Sequence, residues 1–176
     1  VGDDTSSDRV GFRTVRREGG QIFLNGKPVF LRGISMHEET VLGAGVATGR
    51  ADAEASFALA QQLGANFVRL AHYPHNEHTV RLADEMGLMP WSEIPVYWAI
   101  DWRNEDTRQL ANSMMSEMVQ RDLNRAAVVI WSLGNETPIS ESRTAFMAGE
   151  GATVKELDHS GRLLAAALIG NPEAEL

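Results

Sequence analysis

Short apolar runs alternate with segments of helical period along most of this chain, and Gly, Pro and Asn punctuate the changes. Residues 21–33 read as a hairpin, because Asn25-Gly26 supplies the turn between two β-rich arms. The second arm is expected to run on into a first long strand. Asp52 can cap a helix whose apolar residues Ala55, Leu59, Ala60 and Leu63 share a face, and Gly64 stands where it should end. A strand over 66–71 follows, then a helix over 79–86 stopped by Gly87, then a strand over 88–94 closed by Pro95. Residues 107–124 carry Leu110, Met114, Met118 and Leu123 at helical spacing, and 128–133 is the most strand-like run of all. A helix over 142–157, weakened in the middle by Gly149 and Gly151, and a strand over 163–169 complete the pattern.

Strands that alternate with helices build a parallel sheet with right-handed crossovers, either doubly wound or closed into a barrel. Both architectures put function at the C-terminal ends of the strands. The polar residues follow that rule: His37 lies after the first strand, His72 after the second, Glu93 at the end of the third, and Asn135 with Glu136 after the fourth. No Gly-rich phosphate loop follows the first strand, which removes the usual support for a nucleotide-binding sheet and favours the barrel.

Composition narrows the function classes. The 176 residues are 43% hydrophobic, enough to bury a core, and the net charge of -8 leaves no basic field for a nucleic acid. No apolar stretch approaches the roughly 20 residues of a membrane helix, so neither nucleic acid nor membrane is an expected partner. With no cysteine there is no disulfide frame and no thiolate metal site, and the compartment, cytoplasmic or secreted, stays open. The polar start of the chain is unlike a signal peptide.

Five blocks in register carry a resemblance: Asn25-Gly-Lys-Pro; Arg32-Gly-Ile-Ser-Met-His37-Glu; Asn66-Phe-Val-Arg-Leu-Ala-His72-Tyr-Pro; Asp84-Glu-Met-Gly-Leu; and Arg121-Asp-Leu-Asn followed by Val-Val-Ile-Trp-Ser-Leu-Gly-Asn-Glu136. Together they resemble glycoside hydrolase family 2, which includes β-galactosidases, β-glucuronidases and β-mannosidases. The resemblance implies a (β/α)8 TIM barrel, of which about the first five βα units are present. It also implies retaining hydrolysis of a β-linked glycoside, Glu136 as general acid/base and Asn135 bonded to the sugar's 2-hydroxyl. The chemistry agrees, because a carboxylic acid at a strand's mouth can protonate a poor leaving group and later deprotonate water. The bland alternative is a helix cap near Pro138.

Other residues fill out the site. His37 and His72 stand where the family lines the sugar subsite, and imidazoles suit hydroxyls because they donate and accept; the alternative is that each is satisfied within the barrel wall. Arg69 points the same way as His72 along its strand and can clamp a carboxylate. Glu93 can bond substrate or hold Arg69 as an ion pair. Trp98, with Tyr97 and Trp102, can stack on a sugar or cover the rim. His72, His75 and His78 are spaced for a metal, but Pro74 interrupts a helix there, and no cofactor is expected. Residues 94–102 depart from the family text that supplies a magnesium site in β-galactosidases. Two lesser departures, Leu123 and His159-Ser-Gly-Arg162, bear on local packing.

The retaining mechanism also needs a nucleophile, which the resemblance places after the seventh strand, past Leu176. Glu141, Glu150 and Glu156 read as helix-surface residues, since none ends an apolar strand. Residues 1–12 are expected to be a linker from a preceding domain and 13–176 a partial barrel, inactive alone. Two open sheet edges predict self-association or pairing with a missing C-terminal half-barrel. The alternatives are a non-catalytic carbohydrate-binding or assembly fragment and, more remotely, an unrelated metal-dependent barrel hydrolase.

Overall fold

The computed structural model describes residues 4, 5, 7–47 and 49–169; residues 1–3 and 6 of the expected linker lie outside them. Three antiparallel strands, β1 (Val15–Glu18), β2 (Gln21–Leu24) and β3 (Lys27–Val29), form a small sheet. Asn25 and Gly26, with φ of 51° and 77°, make the β2–β3 turn. Positive φ at both central residues matches the twist of the strands they join. The second arm does not run on into the next strand. Beyond β3 the backbone is captured by Asn66, whose side chain donates to Phe30 O and accepts from Arg32 N, at 3.1 and 2.8 Å. β1 was not anticipated, since its Val-Arg-Arg-Glu carries a single apolar residue.

The remaining strands are β4 (Gly33–Met36), β5 (Phe67–Leu70), β6 (Met89–Glu93), β7 (Ile130–Asn135) and β8 (Leu163–Ala167). They pair in parallel in the order of the chain. The connecting helices are α1 (Arg50–Gln62), α2 (Glu77–Met86), α3 (Glu105–Asp122) and α4 (Glu141–Leu157). This is the expected strand–helix alternation, a five-stranded arc of barrel wall. None of the described helices is long and apolar enough to cross a membrane.

The central strands β6 and β7 bury both faces, whereas β4 and β8 at the ends of the arc are only partly covered. Outward-facing Val68, Leu70 and Trp131 pack with Phe57, Val80, Leu82, Met115 and Phe146 from the helices. Full burial of side chains of this size is worth about 1.5–3 kcal/mol each. The inner face is apolar at its N-terminal end, where Phe67, Met89, Ile130 and Leu163 meet Val15, Ile22, Leu24 and Val29 of the small sheet. The small sheet therefore floors the barrel. Arg13 ties the segment before it to the wall, donating to Ala126 O and Val128 O at 2.9 and 2.8 Å.

Several helical details differ from expectation. α1 is capped by Gly49 rather than Asp52, whose carboxylate instead accepts from the Thr40 hydroxyl. Its buried face is Ala53, Ser56, Phe57 and Ala60, while Leu59 and Leu63 are exposed. α3 likewise buries Ala111, Met115, Met118 and Val119 and exposes Leu110. Ala60 and Met118 lie in the buried stripes as expected, whereas Leu59, Leu63 and Leu110 fall outside them. Gly64 and Gly87 do follow α1 and α2 with φ of 77° and 71°. Glu150 of α4 is fully buried, so it is not the surface residue its helical setting suggested.

Candidate functional site

Side chains alternate along a strand, so the residues beyond the apolar floor point into the same interior. On β5 the inward series runs Phe67, Arg69; on β6 it runs Met89, Trp91, Glu93; register pairs Arg69 with Trp91 and Glu93 with Ser132. The interior thus changes from apolar to charged within one step of the pleat.

Glu93 is the hub. It is 1% exposed, and both of its oxygens are engaged. Oε1 lies 2.7 Å from His72 Nδ1, while Oε2 accepts from Arg69 Nη2 at 3.2 Å and Trp91 Nε1 at 3.1 Å. Arg69 also lies over the Trp91 ring, 5.3 Å from its centroid, and donates to Asn135 Oδ1 at 2.6 Å. Guanidinium only donates, which identifies the atom it meets on Asn135 as the amide oxygen and turns the amide nitrogen away from it.

Arg69 Nη2 is 3.2 Å from His72 Nδ1 as well. That nitrogen cannot accept from Arg69 while donating to Glu93, and the shorter contact, at 2.7 Å, decides. His72 therefore carries a hydrogen on Nδ1, and in the neutral ring Nε2 is an acceptor. His37, exposed, meets the His72 ring edge-on at 5.2 Å between centroids.

Glu136 follows at the end of β7, where the register with β8 shifts between Ser132 and Asn135. Its φ is 48°, the left-handed region, and its N–H donates to Ala167 O at 2.6 Å. A bulge followed by a left-handed residue re-aims a side chain, and the Glu136 carboxyl is exposed while Asn135 beside it is buried. Trp98 Nε1 donates to Glu136 Oε2 at 3.2 Å. Gly134 lets the two loops meet: a Cβ there would lie 2.5 Å from Met147 Cε and 3.2 Å from Val96 O.

Arg69, His72, Glu93 and Asn135 thus form one bonded network; His37 touches it, and Glu136 with Trp98 adjoins it through the chain. Sequence reasoning missed Trp91, although its place two residues before Glu93 in a strand signalled the same inward direction. Tyr97 is partly exposed, whereas Trp102 packs edge-on against Phe146 at 5.3 Å. The other histidines diverge: His75 is buried, its Nε2 donating to Ala71 O at 3.0 Å, and His78 is exposed on α2. Burial lowers the pKa of His75. Among the described residues no three His, Asp or Glu side chains gather as metal ligands. A cleft of about 570 Å³ lies at the opposite end of the strands, lined by Arg9, Arg13, Asp84, Met89 and Ala126. The polar network lies toward the other end of the strands, on the inner wall of the five-stranded arc.

Residues 15–166 match the family profile described as Glycosyl hydrolases family 2, TIM barrel domain. The chain belongs to glycosyl hydrolase family 2. A β-glucuronidase of Streptococcus agalactiae is 30% identical over 158 residues, covering 79% of this chain and 26% of that protein. A β-galactosidase of Pseudoalteromonas haloplanktis is 35% identical over 148 residues, covering 76% and 13%. Among solved structures, a β-glucuronidase from Ruminococcus gnavus in complex with C6-substituted uronic isofagomine superposes with a TM-score of 0.85 at 28% identity. That match covers 92% of this chain and 28% of the solved one. The chain therefore spans about a quarter or less of these family 2 proteins, and its five strands correspond to part of their barrel.

Proposed function

We propose that this family 2 chain supplies the acid/base side of the active site of a retaining β-glycosidase, with Glu136 as the proton donor and acceptor. The observation that carries the reading is the contrast at the end of β7. Asn135 is 5% exposed and fixed by Arg69, while the adjoining Glu136 carboxyl is turned out into the mouth. A proton donor must reach a substrate oxygen, and the groups that orient the sugar must not move.

In this reading Glu136 gives its proton to the glycosidic oxygen as the bond to the anomeric carbon breaks. A second carboxylate, about 5–5.5 Å away, forms the glycosyl ester. The family resemblance puts that nucleophile after the seventh strand, past Leu176. Glu136 then removes a proton from the water that opens the ester. Asn135 presents its amide N–H to the 2-hydroxyl, and His72 Nε2 accepts from a neighbouring hydroxyl, with His37 beside it. Glu93 holds Arg69 and His72 in place. The names of the relatives make β-glucuronides and β-galactosides the first substrates to try.

The test is Glu136→Gln in the full-length protein. Hydrolysis of alkyl β-glycosides, which need proton donation, is expected to fall by about 10²–10⁴-fold, with the fold unchanged by circular dichroism. Turnover within a few-fold of the unmodified protein removes Glu136 from the mechanism.

A further inference from the structure

The loop after β6 is zipped onto the end of β7 by backbone bonds: Asn135 N donates to Val96 O at 2.8 Å, and Trp98 N donates to Asn135 O at 3.1 Å. This places two non-glycine residues of left-handed conformation side by side, Trp98 at φ 56° and Glu136 at φ 48°. Left-handed backbone is strained for non-glycine residues and persists where the surroundings over-determine it. Their side chains meet, indole Nε1 to Oε2, at 3.2 Å. Trp98 is 63% exposed, so core burial does not account for its placement; its ring meets that of Tyr97 edge-on, at 5.5 Å between centroids, beside its bond to the carboxyl.

An indole N–H donates and cannot accept. It can therefore bond a carboxylate oxygen that carries no hydrogen, and it leaves the other oxygen to exchange protons. We infer that Trp98 is a positioning residue for Glu136: by holding Oε2 it confines the mobile proton to Oε1 and aims that oxygen at the scissile bond. The inference rests on the reading of Glu136 as acid/base. In the first half-reaction the proton leaves Oε1 for the glycosidic oxygen while the carbon–oxygen bond breaks and the nucleophilic carboxylate closes on the anomeric carbon. In the second, Oε1 takes a proton from water as the water oxygen bonds that carbon and the carboxylate departs. Oε2 keeps its indole partner throughout, so the acid does not have to rotate between steps.

Trp98→Phe in the full-length protein keeps an aromatic face and removes the N–H. For aryl β-glycosides, kcat/KM is expected to fall at least tenfold with poor leaving groups and to stay within twofold with dinitrophenolate, which departs unprotonated. On the dinitrophenyl substrate kcat should fall, because water attack is then limiting, and azide, which needs no base, should restore it. Replacing Trp98 by benzothienylalanine, which exchanges the N–H for sulfur at nearly constant shape, should reproduce the pattern even if the Phe variant folds poorly. A loss equal across leaving groups, the signature of a stacking platform, or no loss in either variant overturns the inference. Glu136→Gln distinguishes the two failures: if it abolishes proton-dependent hydrolysis while Trp98→Phe shows no leaving-group dependence, only the role of Trp98 is lost.

Discussion

The barrel mouth and the buried face of α4 each hold a glutamate, and the two are opposites. Glu93 is 1% exposed and answers four donor groups on Arg69, His72 and Trp91. Glu150 is 0% exposed, and neither of its oxygens has a hydrogen-bond partner among the described residues. Burial without partners pushes the Glu150 carboxyl up to about 8. Depth alone therefore does not mark a working carboxylate; the partners decide whether a buried acid organises its neighbours or merely resists being charged.

The largest expected effect belongs to Glu150. In the unfolded chain its carboxyl ionises around 4.5, in the folded protein only around 8, so the folded state holds an extra proton between those values. Stability linked to this group is complete below pH 4.5 and is lost as pH rises toward 8, at about 1.4 kcal/mol per unit and roughly 4–5 kcal/mol in total. Chemical denaturation at several pH values should show that slope in the native protein and a much flatter one in Glu150→Met. Second comes Glu93→Gln, which keeps the shape but removes charge-assisted bonds to Arg69 and His72. It should cost about 2–3 kcal/mol and lower activity together with stability. Third, Gly134→Ala should cost about 1–3 kcal/mol by overpacking against Met147 and Val96, and Trp98 fluorescence should report the displaced loop. Last, Glu156→Gln on the exposed face of α4 should stay within about 0.5 kcal/mol. A cost at Glu156 approaching that at Glu93 would dissolve the contrast between paired and solvated acids.

Much of this architecture was legible in the amino-acid pattern because strand ends, turn glycines and apolar runs are local signals. The ends of α1 and α2 fall at Gly64 and Gly87, and the polar residues do line one edge of the sheet. What was not legible depends on packing between distant elements. Glu150 looks like any helical glutamate until α4 is laid against its neighbours. Leu59 and Leu110 look like core residues until Phe57 and Met115 are found to occupy the contact. β1 has no pattern of its own and exists because β2 offers it a partner. The meeting of Trp98 with Glu136 depends on backbone bonds across a loop, which side-chain identity does not encode.

The bond from Arg69 to the Asn135 oxygen has a consequence for selectivity. With that oxygen turned to Arg69 at 2.6 Å, the amide's N–H groups face away from the guanidinium, and the side chain presents mainly donors. If Asn135 meets the sugar as proposed, a hydroxyl or a fluorine there presents lone pairs to those N–H groups. An ammonium would present only hydrogens, next to a guanidinium, so on that reading of Asn135 amino sugars are expected to bind more weakly than their hydroxyl or fluoro counterparts, which a competition assay in the full-length protein checks.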